Sequence, residues 1–140
     1  SLVGSEMCIR DSDKIVSQLN MDEYIHKKAK TYSLGMKQKL GIAIAFLNDP
    51  QFVILDEPMN GLDPKAVRDV RELIVQKAQE GVTFLISSHI LSELVKITNS
   101  ILIINKGKIV TETSEEELKQ FKDNDLENVL LDIIEREDQA

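Results

Sequence analysis

A few side chains in this 140-residue chain stand where phosphate chemistry could use them. Phe52-Val53-Ile54-Leu55 is an apolar run that ends abruptly in Asp56, Glu57 and Pro58, with Gly61-Leu62-Asp63-Pro64 close behind. The run reads as a buried strand that delivers carboxylates to its C-terminal edge, where open α/β sheets place their ligands. An aspartate there can organise magnesium on a phosphate substrate, and a glutamate beside it can polarise an attacking water. Successive strand residues point to opposite faces, so the two carboxylates can hold separate roles. A strand-end acidic pair that caps a turn is the plainer reading of the same residues. His89 lies just past a second apolar run, Thr83–Ser87, whose edge should neighbour the first. It can reach a terminal phosphate there, although a lone histidine is usually structural. Asp56, Glu57 and His89 together could also suggest a metal hydrolase. Zinc sites generally use more histidine or cysteine, and only His26 and Cys8 remain.

Ser33 and Gly35 open an apolar segment that reads as a helix over Met36–Leu47. Free N–H groups at a helix start favour an anion, and Gly35 lets a phosphate approach the backbone. An ordinary capped helix accounts for this segment equally well when it is taken alone. The partner that such a site needs is a G-x-x-x-x-G-K-[ST] loop to cradle the phosphates. The six glycines are Gly4, Gly35, Gly41, Gly61, Gly81 and Gly107, and no two have that spacing. The second half of a nucleotide site is present without the first.

The elements that position these residues follow from periodicity and punctuation. Ile15, Val16, Leu19, Tyr24 and Ile25 predict two short amphipathic helices broken at Asn20-Met21-Asp22. Asn48-Asp49-Pro50 stops the Met36–Leu47 helix, because the residue before proline disfavours the helical region. Phe52–Leu55 and Thr83–Ser87 are predicted as strands buried on both faces, since neither alternates. Asp63 as N-cap and Pro64 at the first helical position open a helix to about Glu80, and Gly81 ends it. Strand, helix, strand over this span predicts a right-handed βαβ unit. A short helix over Ile90–Ile97 follows, then a hairpin of Ile101–Ile104 and Lys108–Thr111. Ser114 to Glu117 is a capping box, and Leu126, Val129, Leu130, Ile133 and Ile134 form a helical apolar stripe.

Composition excludes several classes. The chain is long enough for one domain with a core, not two. Its longest apolar run, Ile42–Leu47, is far too short to span a membrane. One cysteine rules out an internal disulfide framework and fits a reducing compartment, and no secretory signal is visible. Residues 112–140 carry 11 acidic and 3 basic side chains, whereas residues 1–111 carry 13 and 14. The sequence pI of 4.9 therefore belongs to the tail, which reads as a solvated helix face. No clustered basic face is present, so nucleic acid is not an expected partner. Residues 1–12 have no clear periodicity and resemble translated sequencing-adapter text, so they are set aside as a non-native leader, a short frayed N-terminus being the plainer alternative.

In combination the motifs become specific. Ser-x-Gly before a helix, a strand ending in Asp-Glu-Pro, then Gly-Leu-Asp, then Ser-Ser-His occur in order at compact spacing. This resembles the ATP-binding subunit of ABC transporters over Asp13 to Thr111. YSLGMKQKLGIA, LDEPMNGLDP and the acidic tail look most like bacterial exporters of the antibiotic and lantibiotic type. The resemblance implies an α/β fold: the C-terminal part of a P-loop ABC ATPase domain. That part would hold a parallel sheet core with flanking helices, part of the helical signature subdomain, and a C-terminal hairpin and helices. It would comprise a partial ATPase domain over 13–112 and an acidic helical tail over 113–140.

The resemblance also implies roles. Ser33 and Gly35 look like the signature motif, which contacts ATP held by the opposite subunit. Asp56 looks like the Walker B carboxylate that organises Mg2+, Glu57 the residue that polarises water, His89 the switch histidine, and Asp63 the D-loop aspartate. ATP and Mg2+ would be bound, a second ATPase subunit and a separate membrane permease would be partners, and the subunit would sit on the cytoplasmic face of the membrane. Tyr32, Leu34 and Met36 depart from the common Leu-Ser-Gly-Gly-Gln signature, and Met59 stands where threonine is usual. The phosphate loop, adenine-stacking segment and glutamine loop normally lie upstream, so the chain alone is expected to be inactive. Two alternatives stay open: a soluble ABC protein of ribosomes or DNA ends, or a noncatalytic fragment acting in trans. Ribosome-associated members usually carry histidine where Gly61 stands, and DNA-repair members carry long coiled coils.

Overall fold

The computed structural model describes residues 2–120 and 126–139. They divide into two compact units, one up to His89 and the other from Ile90 onward.

The first unit begins with helix α1 (Leu2–Gln18), which runs without interruption through Asp13. The predicted first short helix is therefore the end of a longer one. It stops where Asn20 takes a φ of 54°, and the predicted second helix around Tyr24 and Ile25 is a run of turns. Met21, expected only as a break, is fully buried with Ile15 and Leu19. A 3-10 turn at Ala29–Thr31 leads to helix α2 (Leu34–Ala45), capped by Ser33. It starts two residues before the predicted Met36, because the Ser33 cap places the first helical residue immediately after it. α1 packs against α2, and Asn48 and Asp49 reverse the chain with φ of 65° and 50°.

Strand β1 (Phe52–Asp56), helix α3 (Pro64–Gln79) and strand β2 (Thr83–Ser87) form the predicted crossover. β1 and β2 pair in parallel, with Phe52 opposite Thr83 and Asp56 opposite Ser87. α3 contributes Ala66, Val70, Leu73 and Ile74 to the core, each almost fully buried. Burying a side chain the size of Val70, Leu73 or Ile74 is worth about 1.5–3 kcal/mol. Gly81 leaves the helix with a φ of 99°, a conformation that suits glycine.

Strand burial departs from expectation. Val53 and Leu55 face the core, but Phe52, Ile54 and Leu85 are 55%, 64% and 55% exposed. Only one face of the pair is covered by the described residues. The non-alternating apolar pattern matches a strand sandwiched on both sides, and the described residues supply the cover for one side only.

The second unit contains helix α4 (Leu91–Leu94), shorter than the predicted Ile90–Ile97 because turns complete that span. Strands β3 (Ile101–Asn105) and β4 (Lys108–Thr113) form the predicted hairpin, with a register shift between Ile103 and Ile104. Lys106 and Gly107 turn it with φ of 49° and 77°. The predicted capping box opens helix α5 (Glu115–Gln120), with Ser114 N donating to Glu117 Oε2 at 2.9 Å. Helix α6 (Leu126–Gln139) adds Ile133 to a core of Ile101 and Leu118, lined by Leu91, Leu94, Val95 and Ile103. The side chains of Leu126 and Leu130 lie outside the described residues. Among the described residues no helix is long and apolar enough to cross a membrane.

Candidate functional site

Parallel register makes the ends of β1 and β2 level, and the candidate chemistry gathers there. Asp56 stands opposite Ser87, whose Oγ donates to Asp56 Oδ1. The next residue, Glu57, leaves the strand with a φ of 48°, a left-handed conformation that costs a residue with a Cβ roughly 1–2 kcal/mol. Its backbone is correspondingly well held. Glu57 N donates to Ser87 O at 3.0 Å and to Ser87 Oγ at 3.3 Å. Glu57 O accepts from Asn60 N at 3.1 Å and from Gln38 Nε2 on α2 at 2.9 Å.

The Glu57 side chain turns to His89. Oε2 lies 2.9 Å from His89 Nδ1, and the imidazole is 70% exposed while the glutamate is 34% exposed. With Nδ1–H donating to the carboxylate, Nε2 is the ring atom left to meet a ligand. Three predicted residues, Asp56, Glu57 and His89, are thus brought to one edge.

Ser33 and Gly35 lie at the start of α2. Ser33 Oγ accepts from Met36 N at 3.2 Å, and Ser33 N donates to Met36 Sδ at 3.4 Å. Met36, a departure from the usual signature, here takes the place that glutamate or glutamine holds in a capping box. Ser33 precedes Gln38 by five residues, about 7.5 Å along a helix axis. The cap and the Glu57 edge are therefore separate places joined by one helix.

Gly35 and the Gly61 loop lie against each other. A Cβ on Gly35 would come 3.2 Å from Gly61 O, and a Cβ on Gly61 would come 2.9 Å from Leu34 Cδ2. Gly61 also has a φ of 74°, so glycine is required there on two counts. Two residues on, Asp63 Oδ1 accepts from Ala66 N at 2.9 Å. That bond, foremost, holds its carboxyl below the usual range, and Lys39 and Lys65 add to it. Asp63 is the N-cap of α3, as its sequence position predicted.

Among the described residues no three His, Cys, Asp or Glu side chains gather in a metal-binding group. Asp56 is then the carboxylate at this edge suited to a cation. Magnesium takes one or two carboxylates and fills its shell with water and substrate phosphates, so this donor set fits it. A cleft of about 220 Å³ beside Asp56, lined in part by Gln38, Gly41, Ile54 and Pro58, falls below the roughly 300–1,000 Å³ of small-molecule pockets. The described residues line this cleft without enclosing it. A larger hollow of about 600 Å³, at Asp49–Phe52 and Glu80–Thr83, lies at the opposite end of the strands.

Two contacts are not legible in the sequence, where Ser87 reads as a strand end opening Ser-Ser-His and Gln38 as one position of the YSLGMKQKLGIA helix start. Parallel register could have flagged Ser87, whereas nothing local in the sequence points Gln38 at Glu57.

Comparison with known proteins fits this geometry. A family model described as "AAA domain, putative AbiEii toxin, Type IV TA system" matches residues 10–95. The chain is 45% identical over 98 residues to a lantibiotic transport ATP-binding protein of Streptococcus pyogenes, covering 70% of this chain and 43% of that protein. It is 41% identical over 121 residues to a bacitracin transport ATP-binding protein of Bacillus licheniformis, covering 86% and 40%. A solved ATP-binding subunit of an ABC transporter superposes with a TM-score of 0.80 at 26% identity, covering 96% of this chain and 56% of that one. The chain thus spans less than half the length of either curated relative. The relatives are named as transport ATP-binding proteins and the solved structure as an ABC transporter subunit, a more specific description than that of the family model.

Proposed function

The chain belongs to the ABC ATPase family as part of one nucleotide-binding domain, and on that premise we propose that it carries the hydrolytic edge of an ATP-driven transporter subunit. The observation that carries this reading is the 2.9 Å contact between Glu57 Oε2 and His89 Nδ1 beside Asp56. Magnesium, when bound, would supply positive charge to offset the charge that develops on the phosphates. Asp56 would hold that ion through its coordination shell, with Ser87 fixing the carboxylate.

Glu57 would accept a proton from the attacking water, the work of a general base. His89 would keep the Glu57 carboxylate aimed through Nδ1 and present Nε2 to the terminal phosphate. Ser33 and the first N–H groups of α2 would meet the terminal phosphate of ATP held by a second ATPase subunit. Asp63, at the end of the Gly61 loop, would lie at the same dimer interface.

Differential affinity for the closed dimer would convert ATP binding into closure, which a separate membrane permease would use for export. The subunit would then lie on the cytoplasmic face of the membrane. Relatives named for lantibiotic and bacitracin transport support this reading. The 140 residues alone would not turn over ATP, because they provide no loop to wrap the β- and γ-phosphates. Residues 1–12 are proposed to be a non-native leader, which N-terminal sequencing of the protein from its source would test.

The deciding experiment measures ATP turnover by the intact subunit, assembled with its permease in vesicles, for wild type and Glu57→Gln. Loss of turnover with retained ATP binding is expected. Undiminished turnover in Glu57→Gln would remove Glu57 from the role.

A further inference from the structure

Glu57 is followed by Pro58, which is fully buried and has no N–H to donate. The peptide between them can be anchored by hydrogen bonds only through the Glu57 carbonyl. That oxygen has two lone pairs. One is used inside the loop, by Asn60 N at 3.1 Å. The other receives Gln38 Nε2 at 2.9 Å, a bond that comes from α2, 19 residues away in sequence. The same residue has the left-handed φ of 48° and sends its carboxylate to His89. Gln38 is half-buried, which limits competition from water for this bond.

We propose that Gln38 is a positioning residue: its bond to the Glu57 carbonyl fixes the turn from which the Glu57 carboxylate is aimed, and makes that aim depend on where α2 sits. The inference rests on the reading of Glu57 as general base. Ser33 lies on the same helix, so a movement of its capped end would be felt at Glu57 through a rigid rod rather than a loop. Gln38 itself touches neither His89 nor Asp56 through any described hydrogen bond. Its loss should misplace the base without weakening nucleotide binding. Misplacing a reacting group by about 1 Å can cost on the order of a hundredfold in rate.

The test compares Gln38→Met, Gln38→Lys and Glu57→Gln in the intact subunit with its permease. Methionine keeps an unbranched, helix-favouring side chain without a donor, and lysine keeps a donor on an unbranched stem. Gln38→Met is expected to lower kcat about ten- to a hundredfold with unchanged MgATP affinity, while Gln38→Lys recovers part of the loss. If Gln38→Met melts earlier, Gln38→Glu provides a second variant of nearly the same shape with an acceptor in place of the donor. An inactive Glu57→Gln beside a Gln38→Met enzyme of wild-type kcat would overturn this inference alone. An equal fall in MgATP affinity would also overturn it, by making Gln38 part of the binding site. Turnover surviving in Glu57→Gln would overturn the base and the role of Gln38 together.

Discussion

Glu57 Oε2 and His89 Nδ1 meet at 2.9 Å although 32 residues separate them in the chain. The helix α3 crossover accounts for the meeting. It returns β2 parallel to β1 in a register that sets Asp56 opposite Ser87, so residues just beyond each strand fall at one edge. In the intact subunit, Glu57→Gln is expected to reduce ATP turnover by about a hundredfold or more while retaining bound ATP. His89→Ala should reduce kcat about tenfold or more through loss of carboxylate aim. Steady-state turnover and equilibrium nucleotide binding, measured on the same preparations, check both.

Gly61→Ala is expected to destabilise the chain by about 1–2 kcal/mol from its left-handed φ alone. The new Cβ would also stand 2.9 Å from Leu34 Cδ2. Adding Leu34→Ala should relieve the crowding and leave the backbone cost. Urea unfolding of both single variants and the double variant separates the two contributions.

Tyr24 and Tyr32 stack edge to face with centroids 5.1 Å apart, but their hydroxyls differ. The Tyr32 hydroxyl donates to Tyr24 O at 2.9 Å, whereas the buried Tyr24 hydroxyl has no partner among the described residues. Tyr32→Phe should cost about 1 kcal/mol, and Tyr24→Phe should be neutral or stabilising. Burial, and secondarily Tyr32, raises the Tyr24 pKa above 10.0. Its neutral form is thus favoured in the fold, so stability should be full below pH 10 and fall as pH rises through the raised value. Tyr24→Phe should flatten that alkaline loss in thermal melts.

Asp63 gives the opposite sign. Its carboxyl is held low by the Ala66 N–H, so its ionised form is favoured in the fold. The stabilisation is full above the ordinary aspartate range and disappears as pH falls through the lowered pKa. Replacing it with asparagine keeps a capping oxygen and should remove this part of the acid dependence, seen as a smaller change in melting temperature between pH 5 and pH 2.5.

Phe52, Ile54 and Leu85 expose one apolar face of the β1–β2 pair, the kind of surface that drives association. The 140-residue chain is expected to self-associate at micromolar concentration, and Ile54→Lys to reduce it. Sedimentation velocity of the two proteins is the check; equal association would place the contact elsewhere.

Residue order alone was enough to specify much of this molecule. The caps at Ser33, Asp63 and Ser114, the break at Gly81 and the hairpin turn at Gly107 are local choices, dictated by backbone sterics and by helix ends seeking partners. The run from Phe52 into Asp56 and Glu57 likewise identified a strand and the edge where its chemistry belongs. Other features depended on contacts between distant segments. The burial of Met21 arises from packing, which overrides weak local periodicity. The one-sided cover of β1 depends on which partners a strand meets, and its composition matches a strand covered on both sides. The bond from Gln38 to the carbonyl of Glu57 is of the same kind: both residues are ordinary in their own segments, and their meeting is set by how α2 packs beside the end of β1.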